Sequence, residues 1–344
     1  MTIVAAKTRT RLRRLLGWRG LALLAASAVL FVLAVVLFGT RMPLDSHRGP
    51  LPALDAATEG LAGELRRDTE HLSGQIGERN VGRPEALRRA ADWVFDQFNA
   101  TGLYTERQQF DTNGVQCQNI LAYAPGPAPA IFVVGAHYDS AIGTPGADDN
   151  ATGVAALLAL ARRFAKRPRQ RSLVFVAFAN EEPPWFQGPQ MGSVRALNLL
   201  RERKAEIQGM LSLETLGYYS DAPGSQRYPA PLHLLYPSTG NFVAFVGNMR
   251  SRDLVRSSVE AFRAAEPFPS EGAALPDLLP GIGWSDHWAF WQQDIPAIMV
   301  TDTAPFRNPH YHQATDRIAE LDFQRLARVV RGLEKVIELA QKDR

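Results

Sequence analysis

Apolar residues along this chain form one unbroken block and a series of shorter, periodic runs. The block covers residues 21–38, eighteen positions that hold Ser27 and no charge. At about 1.5 Å per helical residue it would span roughly 27 Å, close to the hydrocarbon thickness of a bilayer. It predicts an uncleaved transmembrane helix. The alternative is a cleaved signal peptide, which needs a shorter apolar region and a small-x-small cleavage site. The Phe38-Gly39-Thr40-Arg41 continuation offers no convincing one.

Short continuous apolar runs follow at residues 120–123, 131–134, 173–179, 210–213 and 297–300. Their Val, Ile and Phe content predicts strands buried on both faces. Helical periodicity lies around and between them. Leu54, Leu61, Leu65 and Leu72 share one face of a predicted helix over 54–72. Leu87, Ala91, Val94 and Phe98 do the same over 84–98, where Pro84 marks the start. Further helices are predicted over 154–164, 193–203 and 318–342. The alternation predicts an α/β fold: a mixed, mainly parallel central sheet with helices on both faces. Residues 219–283, rich in Pro and Gly, interrupt the alternation and carry one helical stretch at 243–264. They read as an insertion near the mouth of a site. The organisation expected is a basic tail over 1–20, the membrane helix over 21–38, a linker over 39–53 and a catalytic-type domain over 54–344.

Charge refines this picture. The net charge of +3 comes from the tail, where Lys7, Arg9, Arg11, Arg13, Arg14 and Arg19 stand without an acid; subtracting these six leaves −3 for the rest. Nucleic-acid binding, which needs a basic face on the domain itself, gains no support. The basic flank predicts a cytoplasmic N-terminus and a domain outside the cytoplasm. Cys117 is the single cysteine, so no intramolecular disulfide can form and any zinc must be held by histidines and carboxylates.

Candidate chemistry gathers where the predicted strands end. The run at 131–134 leads to His137 and Asp139, then to Asp148 and Asp149 at a helix start. The run at 173–179 leads to Glu181 and Glu182, and the run at 210–213 to Glu214. The run at 297–300 leads to a loop with His310, Tyr311, His312 and Asp316. In open α/β sheets ligands bind beyond the carboxyl ends of the strands. Carboxylates packed together repel unless a cation sits among them. A two-metal centre accounts for all of these residues at once. Asp148 alone reads as a helix cap, Glu181 and Glu182 as a solvated loop and His287 as a structural residue, while His310 competes with His312 as the candidate ligand of that loop.

Taken together, His137-Tyr138-Asp139-Ser140, Gly146-Ala147-Asp148-Asp149-Asn150-Ala151-Thr152-Gly153, Asn180-Glu181-Glu182, Leu213-Glu214, Ser285-Asp286-His287 and Tyr311-His312 resemble the co-catalytic zinc aminopeptidases of peptidase family M28 over roughly residues 55–340. The resemblance implies the zinc-exopeptidase, phosphorylase/hydrolase-like fold and two Zn2+ per chain. It implies that His137 and Glu214 hold one zinc, Glu182 and His312 the other, and that Asp149 bridges both. Glu214 stands where the family usually has Asp, which adds a methylene. Glu181 matches the general base toward zinc-bound hydroxide, and Tyr311 an oxyanion donor. Asp139 is placed to orient the His137 imidazole, and Asp286 to shape the surroundings of the ligands. The expected activity is removal of N-terminal residues from peptides by a membrane-anchored enzyme. Two alternatives stand beside it: a mononuclear zinc acyltransferase like the glutaminyl cyclases, and a receptor-like relative without catalysis.

Overall fold

The computed structural model describes residues 18–341. Most of the basic tail, and residue 342 of the last predicted helix, lie outside the described residues. Residues Met1–Arg41 and Met42–Arg344 are separate compact units. In the first, helix α1 (Trp18–Thr40) runs for 23 residues through the apolar block. Leu23, Leu24, Leu30, Leu37 and Phe38 are exposed on it. Several of its side chains lie outside the described set, and among the described residues no helix is long and apolar enough to cross a membrane.

The second unit is built on eight strands: β1 (Tyr104–Thr112), β2 (Val115–Ala124), β3 (Ala128–His137), β4 (Arg171–Phe178), β5 (Glu206–Glu214), β6 (Val243–Gly247), β7 (Ser270–Ala274) and β8 (Ala297–Thr301). Their order across the sheet is β1-β2-β4-β3-β5-β8-β6-β7. The centre, β4-β3-β5-β8, is parallel, and β1, β2 and the β8–β6 pairing supply the antiparallel part. This is the mixed α/β sheet the sequence predicts, wider by β1, β6 and β7.

Alternate residues of the strands face two cores. Phe132, Val134, Phe175, Leu211, Leu213 and Val300 face helices α2 (Ala56–Glu70), α3 (Pro84–Asn99), α4 (Gly153–Phe164), α6 (Arg252–Ala265) and α9 (Phe323–Ala340). Val133, Val176, Met210 and Ala297 face α5 (Gly192–Glu202) and α7 (His287–Trp291). Leu65, Phe98, Leu157, Phe262 and Leu333 are fully buried; each such side chain contributes about 1.5–3 kcal/mol by leaving water. Asp55 caps α2 by accepting from the Thr58 amide at 2.8 Å, and Asp322 caps α9 by accepting from the Arg325 amide at 2.9 Å.

Three expected boundaries change. The helix expected over 243–264 is strand β6 followed by α6: Gly247 ends the strand, and Asn248 accepts from the Ser251 amide at 2.9 Å to start the next turn. The 219–283 segment is therefore not only an insertion, because β6 and β7 extend the sheet. The last helix begins at Phe323, where Asp322 caps it, rather than at 318. The short helix α8 (Ala304–Arg307) follows β8 and leads into the loop that carries Tyr311 and His312.

Candidate metal centre

His137 ends β3 and Glu214 ends β5, so both project from the carboxyl edge of the sheet by register alone. The loop after His137 is held by Arg79, whose guanidinium is completely buried. It donates to the carbonyls of Tyr138 at 2.6 Å, Pro145 at 2.6 Å and Gly146 at 2.9 Å. Gly146 has φ +61°, and a Cβ there would lie 2.4 Å from the Asp149 carbonyl oxygen, so the turn requires glycine. Asp316 accepts from the amides of Asp148 at 2.9 Å and Asp149 at 3.2 Å. Asn150 donates to the Leu213 carbonyl at 2.8 Å and accepts from the Thr215 amide at 3.0 Å, tying this loop to the end of β5. The Asp149 carboxylate is thus fixed from behind by three segments of chain.

Asp139 does more than face the His137 ring. One oxygen lies 3.5 Å from His137 Nδ1, without hydrogen-bond alignment. Its two oxygens accept from the amides of Glu181 and Glu182, each at 3.2 Å. Asp139 therefore sets the β4 loop against the β3 loop and aims the paired glutamates.

The candidate ligands meet around Asp149. Its Oδ1 lies 3.3 Å from His137 Nε2, and its Oδ2 lies 3.0 Å from His312 Nε2. Glu214 Oε2 is 3.3 Å from His137 Nε2, and Glu182 Oε2 is 3.1 Å from His312 Nε2. Two triads sharing Asp149 result, His137–Asp149–Glu214 and Asp149–Glu182–His312, and a third group joins His137 to Glu181 and Glu182; within each, the ligand atoms lie within 4.8 Å of one another. Ligand atoms on both sides, Asp149 Oδ1, Glu182 Oε1 and His312 Nε2, are buried yet make no aligned hydrogen bond. His137 Nε2 and Glu214 Oε1 meet as a hydrogen bond at 3.4 Å; the other nitrogen and oxygen lone pairs, brought close but not aimed at one another, suit a shared cation. The donors, imidazole nitrogen and carboxylate oxygen, are those zinc accepts.

Electrostatics point the same way. Burial pushes Glu182 up to about 8, with Asp149 adding repulsion, and pushes Glu181 well above the ordinary glutamate range. Burial also raises Glu214. Burial opposes the charged form of both histidines, but the carboxylates outweigh it: His312 stands at about 10 and His137 well above its usual value. Buried carboxyl groups held this close are neutralised by bound cations or by protons.

The remaining residues fall into place around this cluster. Ser285 Oγ donates to Glu214 Oε2 at 2.7 Å and pairs with Ser212 Oγ at 2.8 Å, so the longer glutamate is anchored where a shorter acid would be expected. Glu181 Oε2 stays 3.9 Å from His137 Nε2, facing the cluster without closing on it. The Tyr311 ring stacks on His312 at 3.9 Å. Burial and the Asp149, Glu182, Glu214 and Glu181 carboxylates raise its phenol well above the usual range, which keeps the proton on as a donor. Asp286 is buried with neither oxygen hydrogen-bonded and lies outside both triads. His287 bonds the Ile282 carbonyl oxygen at 2.8 Å and packs edge-on to Trp291. His310 pairs with Thr315 at 3.0 Å and joins neither triad. Sequence reasoning missed Arg79 and the clamps made by Asp316 and Asn150. No local pattern marks a residue whose partners are distant carbonyls and amides.

The pattern of Peptidase family M28 matches residues 119–337. An uncharacterized protein, YfbL, of Escherichia coli K12 is 40% identical over 312 residues, covering 87% of this chain and 95% of its own. A probable leucine aminopeptidase of Trichophyton verrucosum is 26% identical, covering 82% of this chain and 74% of its own. The crystal structure of the LapA aminopeptidase of Legionella pneumophila shares the fold with a TM-score of 0.65 at 18% identity, over 86% of this chain and 78% of that one.

Proposed function

This chain belongs to peptidase family M28, and from that premise we propose that it removes N-terminal residues from peptides as a two-zinc aminopeptidase. The observation that carries the reading is the pair of donor triads sharing Asp149. His137 and Glu214 would hold one ion, Glu182 and His312 the other, and Asp149 would serve both. Zinc, when bound, supplies Lewis acidity toward the scissile carbonyl and toward the attacking water.

The chain's own groups do the rest. Glu181, aimed by the Asp139–amide bond, accepts the proton of the attacking water and delivers it to the leaving amine. Tyr311, held as a phenol, donates to the oxygen on which negative charge develops. Asp139 keeps Glu181 and Glu182 at their separate tasks. Ser285 holds Glu214 in reach. Asp286 takes no ligand position; it is buried near His137 and Glu214, where burial raises its pKa to about 7.

Metal content and reaction product test the reading together. Two zinc ions per chain and release of free N-terminal residues from a peptide mixture are expected. One tight zinc with pyroglutamate formation would favour a cyclase. Inertness of zinc-loaded protein toward all aminoacyl reporters would favour a binding role.

We also propose that residues 21–38 anchor the chain in a membrane, with the basic tail on the cytoplasmic side and the zinc domain outside. The length and apolarity of that block and its basic flank support this. Retention in the membrane fraction after carbonate washing, with the domain sensitive to external protease, is the expected result.

A further inference from the structure

A slot of ≈ 100 Å³ leads away from the metal centre along the sheet face that carries Glu214. Its floor is a single row of directly paired residues. Glu214 pairs with Thr301, Thr301 with Ala244, and Ala244 with Glu271. Directly paired residues point to the same face, and all four line the slot. The row crosses β5, β8, β6 and β7, three strand steps of about 4.8 Å, so its ends stand roughly 14 Å apart. Small side chains, Thr301 and Ala244, lie between two acids.

The walls are aromatic. Tyr228 and Tyr236 stack at 5.7 Å, and Trp284 and Phe306 at 6.1 Å. Both tyrosine hydroxyls are engaged away from the slot, donating to the Pro237 and Gly272 carbonyls. Glu271 stands at the far end with a side-chain exposure of 21%. Its carboxylate makes no hydrogen bond among the described residues. The cation facing it, Arg263, remains 4.0 Å away. Arg263 spends its donors on Ser270 and on the carbonyls of Pro43 and Leu44. Burial raises the Glu271 pKa, with Arg263 and Arg48 opposing. The acid therefore has Arg263 only at the limit of ion-pair distance and keeps its oxygens free of hydrogen bonds among the described residues.

We propose that this slot receives the side chain of the substrate's N-terminal residue, and that Glu271 selects one that is long and ends in a cation, lysine or arginine. The proposal rests on the aminopeptidase reading. A lysine stem places its ammonium roughly 6 Å from its Cα, beyond the aromatic walls and toward Glu271. A leucine ends two bonds earlier and does not reach the acid. Aromatic faces favour both methylenes and a passing cation.

The test uses the full-length zinc-loaded protein in detergent and the p-nitroanilides of lysine, arginine, norleucine and leucine. Wild type should turn over lysine about tenfold or more faster in kcat/KM than norleucine, which keeps the carbon stem and lacks the ammonium. Glu271→Gln should lower the lysine and arginine values by about tenfold or more and leave norleucine within about twofold. Equal or better turnover of norleucine or leucine by wild type, or an equal fall for all substrates in the variant, would overturn the proposal. Calorimetric binding of L-lysinamide and L-norleucinamide gives a readout apart from turnover. If no reporter is cleaved, the aminopeptidase reading fails. Lysinamide binding that is preferred in wild type and lost in Glu271→Gln would still uphold the slot, and equal binding of both amides would sink it.

Discussion

Ser285 Oγ donates to Glu214 Oε2 at 2.7 Å, joining the loop before α7 to the last residue of β5. The bond holds the Glu214 carboxylate against His137. The extra methylene moves the carboxylate outward, and the serine fixes it within 3.3 Å of His137 Nε2. Ser285→Ala is expected to weaken zinc at the His137 position by about 10- to 100-fold. Glu214→Asp is expected to lose affinity as well, despite matching the family habit, because the shorter acid leaves the reach of Ser285. Competitive zinc titration of the three proteins checks both.

Glu181 Oε2 lies 3.9 Å from His137 Nε2, farther than the Asp149 and Glu214 oxygens at 3.3 Å. Replacing it by glutamine should therefore remove proton transfer and spare metal binding. A fall in kcat of about 10²- to 10⁴-fold at unchanged zinc content is expected. Loss of zinc from the variant would instead make Glu181 a ligand.

Arg79 binds three loop carbonyls from a site closed to water. Arg79→Met would leave those acceptors buried and unpaired and would release the loop between His137 and Asp149. A loss of stability of about 3 kcal/mol or more is expected. Urea unfolding of the zinc-loaded proteins measures it.

His287 carries a built-in acid sensitivity. Burial holds its pKa at about 4, against the ordinary 6.5. Between those values the unfolded chain takes up a proton that the folded chain refuses. Stability is therefore lost as pH falls from 6.5 toward 4, by about 2 kcal/mol between pH 7 and pH 5. His287→Gln should remove that share of the slope. Urea unfolding of both proteins at the two pH values gives the difference, and the zinc ligands, common to both, cancel from it.

Much of the site was legible because it sits where short apolar strands end. His137, Glu181, Glu182 and Glu214 follow runs whose burial on both faces is read directly from Val, Ile, Leu and Phe. The edges of the sheet were less legible. Strand β1 holds Thr105, Glu106, Arg107, Gln108 and Gln109, with pairing on one side alone, and carries no apolar run. Val243-Ala244-Phe245-Val246 suits helix or strand equally, and only pairing with β8 and β7 decides it. Arg79 could not be found from its neighbours, since its meaning lies in carbonyls some sixty residues away.

A carboxylate with one oxygen in each triad would make two bound ions interdependent. Asp149, held ionised by His137 and His312, would be shared between them. Emptying one side of the centre should then be felt at the other across the same carboxylate, tying the fate of both halves to a single side chain.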